Sequence, residues 1–325
     1  MSACLRRAAL LLVGLALAWM PSASAQPVEA PCDPVFALNL AVNDVGVGLG
    51  DTERTIGARI NYGDRCLQTV TGVNATLSPP FNPEGTVTGL ALGLPLTGSA
   101  RLRGLAVGVG LFFGNAGDVR GAANGLLLGG VATVSESPAR GVLIGGLGTG
   151  VGAPATGVVV GGATAVSTAR GRGLFLGGAV AGTGGPSVGL VAGGLAAGTT
   201  DRLIGAALSP GVVGAGTRLT GLGVGGLGVG SREAIRGLAV AGAALGTRRL
   251  TGLGVAGAYT YIRAGGTLRG ATLAAANHVR GTQRGLTVGL LNYARTLHGV
   301  QIGLLNVARN NPIWATILPV VNVNL

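Results

Sequence analysis

Few residues in the glycine-rich part of this 325-residue chain could do acid–base or metal chemistry. The two histidines, His278 and His298, are not paired at metal-ligand spacing and have no carboxylate nearby. The carboxylates of the regular repeats, Glu136, Asp201 and Glu233, fall in separate repeats. Because hydrolytic carboxylates must face one groove about 5–9 Å apart, we predict that the chain is not an enzyme and has neither a cofactor nor a metal.

Strings of the form G-x-G-x-x-G also occur, as expected in a chain with 64 glycines. A nucleotide-binding loop needs a following helix, whose N-terminus holds the phosphate. No helical period follows any of these strings, so the sequence does not predict a nucleotide site.

Glycine-led units of constant length repeat in the middle of the chain, and a fixed period is the signature of a repeat architecture. Less regular units flank them, and we place the whole array at residues 89–309. The regular units begin at Gly125, Gly141, Gly157, Gly173, Gly189, Gly205, Gly221 and Gly237. The flanking units begin at Gly89, Gly104, Gly252, Gly270, Gly285 and Gly299.

Apolar residues occupy fixed positions in each unit when the leading glycine is numbered 0. Positions 1 and 3 are apolar throughout the regular units, and position 5 is glycine in all of them but one, which has Pro210. Since side chains alternate between the faces of a strand, we predict that positions 1 and 3 point inward. Positions 6 and 8 then point inward after a glycine corner, where the inward parity switches.

Short strands joined by glycine corners favour an all-β fold, a parallel β-solenoid of about 14 coils with N- and C-terminal caps. An outer-membrane β-barrel is the alternative, because each unit is also long enough for one transmembrane strand. The parity switch and the glycine corner favour the solenoid. We predict an N-terminal β-rich cap at residues 26–88 and a C-terminal cap at residues 310–325, where Pro312 and Pro319 suit a terminal edge.

Position 2 does not fit this pattern, since it should face outward and yet is apolar. Stacked coils would turn it into an exposed apolar stripe, which usually marks an interface. Arginines directly before several leading glycines could line its edge. The predicted partner surface consists of Leu127, Leu143, Val159, Phe175, Val191, Arg140, Arg172 and Arg236. Burial of the stripe under a cap or loops is the alternative.

Asparagines in three late units support stacking independently. Asn277, Asn292 and Asn306 share position 7, and we predict a structural ladder in which their amides bond from coil to coil. Arginines share position 10 in the same units, at Arg280, Arg295 and Arg309, and must be solvated or paired because stacked like charges repel.

The N-terminal segment, residues 1–25, has the pattern of a signal peptide. A basic pair, Arg6 and Arg7, precedes an apolar run at residues 8–19, and residues 23–25 form a small-residue cleavage site. An uncleaved anchor is the alternative. We therefore predict export to the periplasm, outer membrane or cell surface. In an exported protein the remaining pair, Cys32 and Cys66, predicts a disulfide, with two buried free thiols as the alternative.

The chain is strongly basic, with a formal net charge of +12, and all its basic residues are arginines. This charge favours anionic partners. We do not predict nucleic acid, because the chain is exported and only 3% aromatic. An envelope protein, an anionic polysaccharide or a lipid surface remain as candidate partners, and the sequence does not choose among them.

The units GLLLGG, GVLIGG, GVVVGG and GLGVGGLGVG resemble an uncharacterised group of exported bacterial proteins with tandem glycine-rich repeats. The late run GLTVGLLNYARTLHGVQIGLLNVARNNP is similar to bacterial surface-repeat proteins with GLQIGLLN-type units. The resemblance implies a cell-envelope or surface location and supplies no catalytic residues. We therefore predict a non-catalytic exported scaffold of the interaction or adhesion kind, with a porin-like barrel as the alternative.

Overall fold

The computed structural model describes residues 36–63, 66–77, 85–114 and 122–324, and these residues are almost entirely β-strand. The first strands are β1 Ala37–Val42, β2 Val45–Gly50, β3 Arg54–Asn61, β4 Thr69–Thr76, β5 Thr86–Ser99, β6 Arg101–Phe113 and β7 Ala122–Ser135. The middle strands are β8 Ala139–Gly145, β9 Gly148–Val151, β10 Ala155–Gly161, β11 Thr164–Ser167, β12 Gly171–Gly177, β13 Val180–Thr183, β14 Ser187–Gly193, β15 Ala196–Thr199, β16 Arg202–Ser209, β17 Val212–Ala215, β18 Arg218–Gly225 and β19 Gly228–Ser231. The last are β20 Ala234–Ala241, β21 Ala244–Ala256, β22 Tyr259–Leu273, β23 Ala276–Val288, β24 Leu291–Ala308 and β25 Ile317–Asn324, with a 3-10 turn at Ile313–Ala315.

Each middle coil contains one long and one short strand, and each strand pairs in parallel with its equivalent in the next coil. β8, β10, β12 and β14 form the long-strand stack, while β9, β11 and β13 form the short-strand stack. The molecule is a parallel β-solenoid of about 15 turns, as predicted. The barrel alternative is wrong, because barrel neighbours of that kind run antiparallel.

The leading glycines form a column along the long-strand stack. Gly157 pairs with Gly141 on one side and Gly173 on the other, and Gly173 has φ +117°. A Cβ on Gly173 would collide with the carbonyl oxygen of Gly157. Both the positive φ and the close coil-to-coil approach exclude a side chain, which explains why the glycine recurs in every unit.

Glycine at position 5 forms the predicted corner. A Cβ on Gly178 would collide with the carbonyl oxygen of Gly162 in the preceding coil. The predicted parity switch at this corner is wrong, however. Leu147 and Leu227, which both occupy position 6, are 66% and 62% exposed, so they point outward. In the regular units the inward residues keep even positions on both strands.

The core is built from complementary pairs at positions −2 and 2 of the same long strand. Where one residue is large, the other is small, so each coil fills a similar volume. A Cβ on Gly171 would lie 2.8 Å from the Phe175 ring, and one on Gly223 would lie 2.9 Å from Leu219 Cδ1. Other such pairs are Ala139 with Leu143, Ile235 with Ala239, and Leu250 with Gly254.

Polar side chains fill the core of the late coils. Asn277 Nδ2 donates to Asn292 Oδ1 at 2.9 Å, and Asn292 Nδ2 donates to Asn306 Oδ1 at 2.7 Å. All three residues are buried, and each amide also donates to main-chain carbonyls at the corner. These are the hydrogen bonds of the predicted ladder, and they lie inside the solenoid. Gln283 and Gln301 are joined by a similar bond of 3.2 Å.

Parallel stacking begins earlier than the predicted cap boundary. β2, β3 and β4 pair in parallel and in register with each other and with β5, so much of residues 26–88 belongs to the solenoid. Their core holds Arg59, which is fully buried and donates to Thr52 Oγ1 and Asn74 Oδ1. Non-parallel strands cover the two ends: β1 pairs antiparallel with β2, and β25 with β24.

The predicted disulfide falls partly outside the described residues. Cys66 is buried, at 5% exposed. Cys32 and the predicted signal peptide, residues 1–25, lie outside the described ranges. The pairing of the two cysteines and the cleavage site therefore stay predictions.

Candidate functional surfaces

The predicted outward direction of the apolar stripe is wrong, because its residues point inward. Leu127, Leu143, Val159, Phe175 and Val191 are all 0% exposed and form the hydrophobic core. Positions 1, 2 and 3 are apolar in most coils, so alternation alone did not distinguish the inward from the outward set. Once position 2 points inward, positions 1 and 3 must point outward.

An apolar face does exist, on the outward side of the long strands. Two columns of aliphatic side chains, at positions 1 and 3, form this surface. We call it the apolar face. Leu126, Ile144, Leu238 and Leu253 are between 37% and 44% exposed, because each is flanked by its neighbours above and below. In the regular units the face comprises Leu126, Leu128, Val142, Ile144, Val158, Val160, Leu174, Leu176, Leu190, Ala192, Ala206, Leu208, Leu222, Val224, Leu238 and Val240.

An arginine rim borders the apolar face on the same long strands, at positions −1 and −3. The predicted residues Arg140, Arg172 and Arg236 are exposed and share the position −1 column, in which Arg140 pairs with Thr156 and Thr156 with Arg172. From coil to coil the rim comprises Arg101, Arg103, Arg140, Arg170, Arg172, Arg202, Arg218, Arg236, Arg249, Arg269 and Arg284. Neither column contains an Asp or Glu between residues 101 and 284.

A shallow groove of about 470 Å³ lies between the position 3 column of the apolar face and the glycine corner. Its walls are Val160, Leu176, Ala192 and Leu208, one from each of four successive coils, with the corner glycines and Pro210. Ala192 is smaller than its neighbours in the column. Its lining is apolar and holds no charged residue.

A second arginine column, which we call the arginine corner, follows the short strands of the last coils. Its members directly follow inward residues that pair from coil to coil, namely Thr247 with Ile262, Ile262 with Val279, and Val279 with Ala294. At about 4.8 Å per coil, six successive arginines extend over about 24 Å. They are Arg232, Arg248, Arg263, Arg280, Arg295 and Arg309.

The arginine corner has no acidic counterpart later in the chain, because residues 234–325 contain no Asp or Glu. The guanidinium of Arg263 instead donates from Nη1 to the main-chain carbonyl of Arg232, at 3.3 Å. Stacked like charges are unfavourable, so this edge of the solenoid carries a concentrated positive potential that an anion would relieve.

A tyrosine column lies next to the arginine corner, on the outward side of the short strands. Tyr261, His278 and Tyr293 are register partners in three successive coils. The rings of Tyr261 and His278 are 5.6 Å apart, and those of His278 and Tyr293 are 4.9 Å apart, both edge to face. Tyr259 extends the cluster and stacks on Tyr261 with 6.0 Å between ring centroids.

Hydrogen bonds fix this cluster and join it to the arginine corner. The Tyr259 hydroxyl lies 2.8 Å from His278 Nδ1, and Arg280 Nη1 donates to the Tyr261 hydroxyl at 3.4 Å. Burial, with a smaller contribution from Arg280, holds the pKa of His278 below its ordinary value. Burial also raises the pKa of Tyr259. At neutral pH the Tyr259 hydroxyl is therefore protonated and the imidazole is neutral, and the imidazole tautomer decides which of the two groups donates.

The tyrosine column and half of the arginine corner were missed by reasoning from the sequence. The sequence indicates no metal-ligand pairing for His278, and its arginine row contains only Arg280, Arg295 and Arg309. The spacing between leading glycines varies in this region, so counting from the leading glycine hides the register. Aligning the units on their short strands would have placed Arg263 beside Arg280 and Tyr261 beside His278.

The described carboxylates of the regular repeats occupy separate coils, as the sequence indicated. Asp201 Oδ1 accepts a hydrogen bond from the Thr217 hydroxyl at 2.9 Å. Within the described ranges no group of three or more His, Cys, Asp or Glu side chains could hold a metal ion. In that same part of the chain no helix is long and apolar enough to cross a membrane.

Comparison with known proteins supplies no relative. No family model, no curated protein and no solved structure matches this chain. The class that the fold defines is a parallel β-solenoid repeat protein.

Proposed function

We propose that this protein is a non-catalytic, exported scaffold of the cell envelope whose last coils bind an anionic polysaccharide. The arginine corner carries the proposal, since it places one arginine per coil along one edge of the solenoid, and this edge has no acidic residue after Glu233. A polymer with regularly spaced negative charges matches such an edge better than a small anion does, because it can contact several arginines at once.

The tyrosine column favours a polysaccharide over other polyanions. Tyr261, His278 and Tyr293 present ring edges and faces beside the arginines, and such surfaces offer apolar contact to the C–H faces of sugar rings. Hydrogen bonds between Tyr259 and His278 and from Arg280 to Tyr261 restrict two of these rings before a ligand binds. Little conformational entropy is therefore lost on binding.

Dextran sulfate and unsulfated dextran provide the test, because they share a backbone and differ in charge. We expect the purified chain to bind dextran sulfate, to bind dextran much more weakly, and to lose affinity as salt is raised. Arg263→Gln, Arg280→Gln and Arg295→Gln together should weaken binding roughly tenfold, given the modest strength of each exposed ion pair.

A matched variant separates the site from total charge. Arg140→Gln, Arg172→Gln and Arg236→Gln remove the same charge from the rim and should change affinity much less. Equal losses in both triple variants would contradict the arginine corner as the site. Tyr261→Leu should weaken dextran sulfate binding but leave binding of inorganic polyphosphate unchanged; an equal effect on both would contradict sugar stacking.

Export rests on the basic pair, apolar run and small-residue site of the N-terminal segment, residues 1–25. The chain expressed with this segment should be recovered outside the cytoplasm, with Gln26 as its first residue. Recovery in the cytoplasm with an intact N-terminus would contradict export while leaving the polysaccharide site untouched.

A further inference from the structure

The apolar face and the arginine rim lie side by side on the long strands, and the rim meets the arginine corner at Arg248 and Arg249. We propose that together they dock the solenoid lengthwise onto an anionic lipid bilayer, with the aliphatic columns at the level of the upper acyl chains and the rim arginines at the headgroups. This inference does not depend on the proposed polysaccharide site.

The size of the apolar face is the first argument. From the coil of Gly89 to that of Gly299 it extends about 60 Å at the usual strand spacing. Its two columns are about 7 Å apart, and with one residue of strand on either side of them the face is about 13 Å wide. The resulting patch of roughly 800 Å² is larger than the largest apolar patch on a typical monomer, about 300–600 Å². A patch of this size indicates that something covers it.

The distribution of charge is the second argument. Positions 1 and 3 carry no charged residue from Leu90 to Ile302. At positions −1 and −3, every charged residue from Arg101 to Arg284 is an arginine. An apolar stripe bordered by arginines is the pattern of elements that lie in a membrane interface, because long basic side chains reach the headgroups from a partly immersed stem.

Charge also decides against a second copy of the chain as the occupant. Two copies meeting face to face in antiparallel orientation would set rim against rim, and a chain of net charge +12 repels itself. An anionic bilayer attracts the same rim, and each basic residue near such a surface adds about fivefold to binding.

Sedimentation with lipid vesicles tests the proposal. The purified chain should bind vesicles of phosphatidylcholine with phosphatidylglycerol and bind pure phosphatidylcholine vesicles much more weakly. Leu174→Glu with Leu190→Glu, both on the apolar face, should reduce binding at least tenfold. Val180→Glu with Val212→Glu places the same charges on the outward side of short strands β13 and β17 and should leave binding almost unchanged.

The rim has its own prediction. Arg140→Gln with Arg172→Gln should lower affinity for the anionic vesicles about 25-fold, from fivefold for each arginine. The corner variant Arg263→Gln, Arg280→Gln and Arg295→Gln should bind these vesicles far better than a rim variant, which distinguishes this proposal from the polysaccharide site. Circular dichroism must show unchanged β-sheet content in every variant.

Three results would overturn the proposal. They are equal binding to neutral and anionic vesicles, equal losses in the apolar-face and short-strand variants, and an absence of vesicle binding by a well-folded chain. A dimer in analytical ultracentrifugation that Leu174→Glu with Leu190→Glu converts to monomer, without vesicle binding by the parent, would assign the face to a second copy instead.

Discussion

The complementary core pairs predict that a large residue can be moved from one position of a coil to the other. Leu219 is fully buried, and a Cβ on the adjacent Gly223 would lie 2.9 Å from Leu219 Cδ1 and 3.2 Å from Val229 Cγ1. Leu219→Ala should therefore leave a cavity, while Gly223→Leu should overfill the coil. Together they recreate the Ala139 and Leu143 arrangement of another coil.

The magnitudes follow from these contacts. Leu219→Ala should destabilise by about 2–5 kcal/mol, as for other buried leucines, and Gly223→Leu by about 1–3 kcal/mol through overpacking. The double variant should lose less than about 2 kcal/mol, because the new leucine fills the cavity. The coupling energy should then be near the upper end of the usual range for contacting residues, about 0.5–3 kcal/mol.

Urea unfolding followed by circular dichroism measures the free energy of unfolding of the parent, the two single variants and the double variant. Leu219→Ala combined with Gly254→Leu is the control, since the two positions lie two coils, or about 10 Å, apart and their effects should add. Additive losses for Leu219→Ala with Gly223→Leu would refute the idea that the two positions share one volume.

Three further predictions concern the glycine column, the asparagine ladder and the aromatic cluster. Gly173→Ala should destabilise strongly, since its Cβ would meet the Gly157 carbonyl oxygen, whereas Gly246→Ala meets nothing within 4 Å and should be tolerated; equal melting temperatures would contradict this. Asn292→Leu should cost about 1–3 kcal/mol by removing the donor of Asn306 Oδ1 inside the core, and urea unfolding that matches the parent would contradict the ladder. His278 has a lowered pKa when folded, so the native state binds fewer protons than the unfolded chain. The stability present above the ordinary pKa of about 6.5 should be lost as pH falls towards the folded value. His278→Gln should remove this contribution, and a thermal melting profile with unchanged pH dependence would contradict it.

The architecture could be predicted from the sequence because the spacing of the glycines indicates where successive coils stack. Leading glycines such as Gly173 mark places where a coil touches the one before it, and no other residue fits there. The asparagine ladder was also predictable, since Asn277, Asn292 and Asn306 keep one position despite variable unit lengths. Periodicity of this kind reports stacking directly.

The direction of the side chains could not be predicted from alternation. Positions 1, 2 and 3 are all apolar because position 2 fills the core while positions 1 and 3 form the apolar face, so two different physical demands produce one uniform pattern. Size was the available signal: Phe175 is paired with Gly171, and only residues that share a confined volume need to compensate in this way.

Thiol labelling of single cysteine variants along one coil tests the account most directly, because both proposed surfaces depend on which side chains point outward. Cysteine placed at Val188, Leu190 or Ala192 should react rapidly in the native protein, while cysteine at Ser187 or Val191 should be protected until the coil unfolds. Rapid labelling at Val191 with protection at Leu190 would reverse the two faces and contradict the account.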